Sequence, residues 1–589
     1  MAGALKSPAE DQSSRAVDAA AMPGARDDRL MRQLAAASRR HMSFEIDAPF
    51  LGDEGAAAGA TCRTRTVGQP NPAAPGAREH AHRIRLEDEP MDWTLEQAAR
   101  ALGAPLAGGL EAALRSARIA GVSIDSRTVA RGELFFAVRG ERHDAHDFVA
   151  AALGAGAVAA VVSAGRAGEF DAALRSRLLC VDDPLAALQR LAREWRMEWG
   201  RRAGGSGAAR RRLAGVTGSV GKTTTKEILA ALLGTRFSTL KSTGNLNNLY
   251  GVPLTLARLG EEHEAAVIEM GMSRTGEIAR LAWMARPEVG VVTRVAPVHL
   301  EFFASVEEIA EAKRELIEGL AGEDPVAVLN ADDPRVAAFA EVMETRVPGR
   351  VITFGMSPQS DFRAVRITEC GLEGTELEFE GGDATATLRI PLLGRHNALN
   401  ALAALAAASC WGIGAEEARR AFAGLAPGAM RGEVLRFEGG VMMINDCYNS
   451  SPAALAAALA TLAHAPGAHR RILVAGEMLE LGPASARLHR ETGAQAASFG
   501  NIDWIIGVQG YAAELLRGAA AAGHPASQQR FFPSAAEAAE FLSGFAAPGD
   551  LVLLKGSRGV HLERVLEALA ASRPMTGSAG AGAVEGGRH

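Results

Sequence analysis

Cysteine is scarce: Cys62, Cys180, Cys370, Cys410 and Cys447 are scattered through 589 residues without CxxC spacing. That pattern excludes a disulfide framework or a thiolate zinc site and points to a reducing compartment, the cytoplasm. Aromatic residues make up 5% of the chain, so its core must be packed by aliphatic and small side chains. Neither sign of charge prevails. Lysine plus arginine number 63 and aspartate plus glutamate 69, a net charge of −6. This balance argues against nucleic-acid binding, because phosphate contacts need a basic surface. No apolar run reaches the roughly 20 residues that cross a bilayer; the longest, residues 398–411, is short and alanine-rich. The N-terminus carries acidic residues where a signal peptide places its apolar segment, so no membrane insertion is expected.

What is present is ordinary globular composition, 48% hydrophobic and 22% charged. The length allows three or four domains at ~100–200 residues each. Residues 1–90, rich in Ala, Gly, Pro, Arg and Asp without a sustained apolar period, read as a disordered or non-native extension. Residues 573–589 read as a Gly-rich tail. Three blocks lie between. Residues 91–208 carry short strands (VSID, LFFAV, AVAAVV) and end in a Gly/Arg linker. Residues 209–427 alternate LAGVTG, AVIEM, VGVVT and VAVLN with helical segments, the pattern of a parallel sheet covered by helices. Alternation in TELEFE and ATATLRI predicts a hairpin appended to that sheet. Residues 428–572 repeat the α/β pattern with GVMMIND, RILVAGE, DWIIGV and DLVLLKGS, enough for a second doubly wound domain.

The strongest local signal follows LAGV: Thr217, Gly218, Ser219, Val220, Gly221, Lys222, Thr223 and Thr224 lead into KEILAALLG. Glycines let the backbone bend so that its N–H groups converge on phosphate oxygens at a helix N-terminus. Lys222 would reach the β/γ-phosphates and the Thr223 hydroxyl would hold Mg²⁺. Ile228, Leu229, Leu232 and Leu233 share one helical face, with Gly234 as the stop. One departure stands out: Val216 occupies the place of the first glycine in the usual G-x4-G-K spacing, so the loop fits the narrower T-G-x-x-G-K-T. A glycine turn without nucleotide is the bland alternative. The strand–loop–helix context favours ATP.

Glu269 closes AVIEM, where open α/β sheets gather ligands, and is placed to meet a metal held by Thr223. His299 follows VGVVT and reaches the same rim, either as an unusual magnesium ligand or as a loop histidine without a role. Lys313 sits among carboxylates in a helical segment, where an i,i+4 ion pair is the plain alternative. Residues 244–256, with three asparagines, are either an irregular amide-rich segment near the cradle or a capped helix start.

Eight motifs occur in order: TGSVGKTTTKE, NLNNLYGVPLTL, VIEMGMSRTGEIARL, APVHLEFFASVEEIAEAKRELI, LLGRHNALNALAALAA, INDCYNSSPAAL, AGEMLELG and LLKGSRGV. Their order and content resemble the Mur ligases over about residues 91–570. The resemblance implies an α/β, three-domain architecture with a central P-loop ATPase-like parallel sheet and a C-terminal Rossmann-like domain. IDSRTVARGELFFAVRGERHDAHDF resembles the family's uridine-nucleotide domain, which implies that Ser126 and Arg127 bind the UDP-sugar. Asp144-Ala145-His146 replaces the family's common Asp-Gly-His.

Two features separate the chain from members that add the third amino acid. The Asp-Asn-Pro-Arg of their last domain is missing there, the nearest string being Asp332-Asp333-Pro334-Arg335 in the central block, and their Lys-Gly-His-Glu is replaced by Lys555-Gly556-Ser557-Arg558. The member implied is the one that joins D-alanyl-D-alanine to UDP-MurNAc-tripeptide, a monomer using ATP and Mg²⁺. By position, Thr223, Glu269 and His299 resemble the magnesium shell. Lys313 resembles a lysine that is carbamylated in related ligases. Asn397, Asn400, Arg431, Asp446 and Tyr448 resemble residues closing over the nucleotide, and Asn449 and Ser450 resemble substrate contacts. Ser451 stands where the family's Asn-Ala-Asn-Pro has its second asparagine. The rivals are a folate-polyglutamating or third-residue ligase of the same superfamily, and a P-loop module that hydrolyses ATP as a switch. The second leaves the uridine-like block unexplained.

Overall fold

Runs of β-branched and aliphatic residues form twenty strands in three sheets among the described residues. The computed structural model describes residues 93–104, 112–140, 143–202, 211–382 and 384–578, all within the unit Ala81–His589. The extension read over 1–90 and the tail from 579 onward lie outside the described residues.

The first sheet is parallel, in the order β1 (Gly121–Ser123), β2 (Glu133–Phe136), β3 (Ala159–Ser163) and β4 (Leu178–Val181). The helix Pro184–Arg202 leaves it and buries Leu188, Leu191, Trp195 and Trp199. Its indoles donate into the second block: Trp195 Nε1 to the Leu259 carbonyl (2.8 Å) and Trp199 Nε1 to the Gly260 carbonyl (3.1 Å). One hydrophobic cluster therefore runs from Leu95 and Leu134 through both tryptophans to Leu281 and Leu316.

The second sheet contains β5 (Arg212–Thr217), β6 (Thr239–Lys241), β7 (Ala265–Glu269), β8 (Val289–Val292), β9 (Val326–Asn330), β10 (Arg350–Gly355), β11 (Phe362–Glu369), β12 (Thr375–Gly381) and β13 (Ala384–Ile390). Its order is β13-β12-β11-β10-β9-β8-β5-β7-β6. Strands β5–β10 are parallel, and β5, β7, β8 and β9 at the centre are buried almost throughout, as strands covered on both faces must be. The expected hairpin is a three-stranded antiparallel meander, β11–β12–β13. β11 had no alternating signature of its own because its exposed positions interrupt the pattern. The alanine-rich helix Arg395–Ser409 packs against the helix Lys222–Leu233; its small side chains permit that close approach.

The third sheet has the order β18 (Gln529–Phe532), β17 (Trp504–Val508), β16 (Arg470–Gly476), β19 (Asp550–Lys555), β15 (Met442–Asn445), β14 (Glu433–Phe437) and β20 (Met575–Ser578). The five strands from β18 to β15 are parallel, the doubly wound pattern. β20 corrects the tail expected from residue 573: Met575–Ser578 pairs antiparallel with β14. The free edge of β14 supplies partners that composition could not reveal. Among the described residues, no helix is long and apolar enough to cross a membrane.

Candidate active site

β5 lies between β7 and β8 although the chain next forms β6, two places away. Its carboxyl end is thus a topological switch point, where α/β sheets bind ligands. Residues 218–221 turn there into the helix Lys222–Leu233. Gly218 (φ 148°) and Gly221 (φ 87°) are required: a Cβ would lie 1.9 Å from Thr293 Oγ1 at the first and 2.3 Å from Asn400 Oδ1 at the second. Thr293 Oγ1 donates to the Val220 carbonyl (2.6 Å), and Ser219 N donates to the Arg294 carbonyl (2.7 Å). Thr217 Oγ1 ties the strand end to the Met270 carbonyl (2.8 Å). The cradle is therefore held open by its own sheet, with the unbonded N–H groups of a helix start facing it. Lys222 Nζ donates to the Gly218 carbonyl (2.9 Å). Burial in the cleft draws its ammonium below the usual lysine range, against the opposing charges of Glu269 and Glu480.

Glu269, 2% exposed, ends β7 beside the cradle. Its Oε1 accepts from Thr223 Oγ1 (3.1 Å) and from Asn247 Nδ2 (2.9 Å). Its Oε2 is buried without a hydrogen-bond partner, with Lys226 Nζ 3.9 Å away. A buried carboxylate oxygen left in this way suits a hard cation. The donor set fits magnesium: one hydroxyl and one carboxylate, with room for phosphate oxygens. Among the described residues, no three His, Cys, Asp or Glu side chains cluster as a metal cage, in keeping with an ion held largely by a bound nucleotide. Both alternatives for residues 244–256 are realised. Asn247 serves the carboxylate, while Asn248 Oδ1 caps the helix Gly251–Leu256 through Gly251 N (2.9 Å).

Lys313 is 2% exposed on the helix Val306–Glu318, and the i,i+4 ion pair there belongs to Arg314 and Glu318. Burial pushes the Lys313 ammonium well below the lysine range, and the Lys222 charge adds to it. Burial thus disfavours the charged form of the amine. His299 sits on the loop after β8 with φ 55°. Its Nδ1 lies 2.5 Å from Oε2 of Glu480, which follows β16. The hydrogen bond from His299 holds the Glu480 carboxyl below its usual range, against burial. Glu480 lies within the family motif AGEMLELG but was given no role from sequence, since its partner stands 181 residues away.

Thr223, Thr224, Asn397, Leu425 and Arg431 line one concavity beside the cradle. Asn397 Nδ2 donates to the Leu393 carbonyl (2.8 Å), and Asn400 Nδ2 donates to Asn397 Oδ1 (3.0 Å). Arg431 lies 4.0 Å over the Tyr448 ring. Asp446 is paired with Lys555 (2.9 Å), which also donates to the Asn449 carbonyl (2.7 Å). Lys555 is thus a site residue that sequence comparison used only as a family marker. Ser450 Oγ is buried without a partner. Ser451 caps the helix Pro452–His464, and Asp333 caps Pro334–Ala337, so the Asp-Asp-Pro-Arg string is a helix start. Ser126 and Arg127 lie in the turn after β1, with Arg127 Nη2 paired to Asp125 (2.6 Å).

Comparison with known proteins follows this geometry. Residues 118–196 match the Mur ligase family catalytic domain, 216–408 the Mur ligase middle domain and 430–558 the Mur ligase glutamate ligase domain. The chain is 36% identical over 454 residues to the UDP-N-acetylmuramoyl-tripeptide–D-alanyl-D-alanine ligase of Bacillus subtilis, covering 77% of this chain and 93% of that one. The crystal structure of MurF from Acinetobacter baumannii aligns with a TM-score of 0.70 at 28% identity, over 81% of this chain and 99% of that one. MurF from Thermotoga maritima in complex with ADP aligns at 0.64 and 30% identity, over 77% and 97%. With its three sheets matched in order by three Mur ligase domains, the chain belongs to the Mur ligase family, among the UDP-N-acetylmuramoyl-tripeptide–D-alanyl-D-alanine ligases.

Proposed function

We propose that the protein is an ATP-dependent amide ligase that joins D-alanyl-D-alanine to UDP-N-acetylmuramoyl-tripeptide. The product is the UDP-MurNAc-pentapeptide precursor of peptidoglycan. The observation that carries this reading is the phosphate cradle with Thr223 and Glu269 in contact at its mouth, within a chain similar to such ligases over 77% of its length. A carboxylate is a poor electrophile, so it must be activated before an amine can displace oxygen. The terminal carboxylate of the peptide attacks the γ-phosphorus of ATP, forming an acyl phosphate and releasing ADP. The amine of D-alanyl-D-alanine then attacks the carbonyl carbon, phosphate leaves with the former carboxylate oxygen, and the nitrogen loses a proton.

Lys222 and the helix N-terminus stabilise the charge that crowds the first step. Thr223 and Glu269, with His299 at the rim, would hold magnesium, which when bound neutralises phosphate charge. Lys313, its charged form disfavoured by burial, is suited to add carbon dioxide through its neutral amine and lose a proton, giving a carbamate that carries negative charge beside the cradle. Asn397, Asn400, Arg431, Asp446 and Tyr448 close over the nucleotide. Ser126 and Arg127 take the uridine end, while Asn449 and Ser450 face the substrates. Three domains, 91–208, 209–427 and 428–578, carry these parts; their docking aligns the reactants and excludes water. Among the described residues, Cys180, Cys370, Cys410 and Cys447 are free, which supports a reducing cytoplasmic setting.

The test is ADP release from ATP and UDP-MurNAc-tripeptide, with and without D-alanyl-D-alanine. Sustained release only with the dipeptide is expected. Release indifferent to both substrates would overturn the proposal.

A further inference from the structure

We infer that Glu480 is a positioning residue: from the third domain, it sets the orientation and tautomer of His299 on the second. The inference rests on the ligase reading above and extends it to a carboxylate outside the expected site. A neutral imidazole has one N–H, and the partner of one nitrogen decides what the other can do. Here Nδ1 faces the Glu480 carboxylate at 2.5 Å. When the imidazole is neutral, that acceptor favours the proton on Nδ1 and leaves the lone pair on Nε2.

The contact is built from both sides. His299 (φ 55°) and Glu480 (φ 63°) both adopt the left-handed conformation that residues with side chains seldom take. The two loops also touch through their backbones, Glu301 N donating to the Glu480 carbonyl (3.3 Å). Gly482 approaches so closely that a Cβ there would lie 3.1 Å from Glu301 Cα. Each loop is fastened to its own domain. Leu479 N donates to Ser557 Oγ (3.0 Å) and Met478 N to His489 Nε2 (2.9 Å), anchoring the Glu480 loop to the third sheet. Ala296 N donates to Ser219 Oγ (2.9 Å), anchoring the His299 segment to the phosphate cradle. Glu480 and Lys222 also feel each other's charge. When the third domain leaves, His299 loses the group that selects its tautomer. Acid activation then waits for the domain that also brings the amine site.

The test uses the full chain with histidine labelled with nitrogen-15, the His299 signals being assigned by their loss in His299→Gln. The wild type is expected to show Nδ1 protonated and Nε2 bare. Glu480→Ala should shift His299 toward the other tautomer and lower kcat by ~10–100-fold, with KM for ATP and UDP-peptide within about twofold. Glu480→Gln can still accept from Nδ1–H and should restore the tautomer and most of the rate. In a His299→Gln background, Glu480→Ala should cost nothing further. An unchanged tautomer in Glu480→Ala, equal rate losses in the Ala and Gln variants, or a full additional loss without His299 would each overturn the inference. If wild-type ADP release proved independent of D-alanyl-D-alanine, the ligase reading would fail, while the tautomer comparison would still decide the Glu480–His299 relation.

Discussion

Between the first and second sheets, the helix Pro184–Arg202 drives Trp195 and Trp199 into a shared apolar cluster and fastens their indoles to carbonyls. Between the second and third sheets, the joint combines His299 against Glu480, the exposed pair Arg436–Glu373, and three leucines of the second block, Leu300, Leu372 and Leu393, that pack into the third domain's core. The first joint removes apolar surface from water and has few low-energy alternatives. The second buries three leucines and otherwise trades hydrogen bonds and charges that water can replace, so opening it costs less. The proposed chemistry lies along the second. In the proposed reading, the apolar joint holds the first domain against the cradle, and the more polar joint leaves the third domain free to dock.

The largest effect should come from a charge on the chemical side of this contrast. Lys222→Ala is expected to reduce ADP release by roughly 10³-fold or more while the thermal unfolding curve stays in place; near-normal turnover would break the assignment. On the other side, Trp199→Ala should cost ~3–5 kcal/mol in denaturant unfolding, with the first two sheets losing stability together. A loss confined to the first sheet would show that the joint is not a shared core.

Lys313 sharpens the contrast, since it is a buried lysine whose charged form the surrounding apolar core disfavours. Its folded pKa is lowered from 10.5, so the unfolded chain binds more protons between the folded value and 10.5. Wild-type stability should therefore rise with pH across that window. Lys313→Met should melt higher than wild type at pH 7 in carbon dioxide-free buffer, the gap narrowing as pH approaches 10.5, and should be inactive. Lys313→Ala should regain part of its activity with short carboxylic acids. A fully active variant would remove the carbamate. Smallest of all, Arg436→Ala should change stability by less than ~1 kcal/mol and leave kcat unaltered; a large loss would mean that the second joint is stiffer than its composition suggests.

The cradle was legible because its chemistry is local: bend, helix start, lysine and threonine lie within eight residues. Glu269 was legible because a carboxylate at a strand's carboxyl end has one place to go. Long parallel strands announced themselves through unbroken apolar runs. β4, β6, β14, β18 and β20 did not, being three to five residues long and defined by the neighbours they pair with. β10 has an apolar run, RVITFG, but its place beside β9 is set by the sheet. Glu480 and Lys555 were illegible as site residues for the same reason. Each gains meaning from a partner more than a hundred residues distant, His299 in one case and Asp446 with Asn449 in the other. Asn247 lay between, its segment visible and its bond to Glu269 hidden until the chain folded.

In the proposed reaction the cradle makes a carboxylate reactive by phosphorylating it. Oxygen-18 placed in the terminal carboxylate of UDP-MurNAc-tripeptide follows that step directly. During turnover with ATP and D-alanyl-D-alanine, the released inorganic phosphate is predicted to carry the label, because the oxygen that attacks the γ-phosphorus leaves with it. Phosphate released without label, at a rate matching peptide formation, would contradict the account.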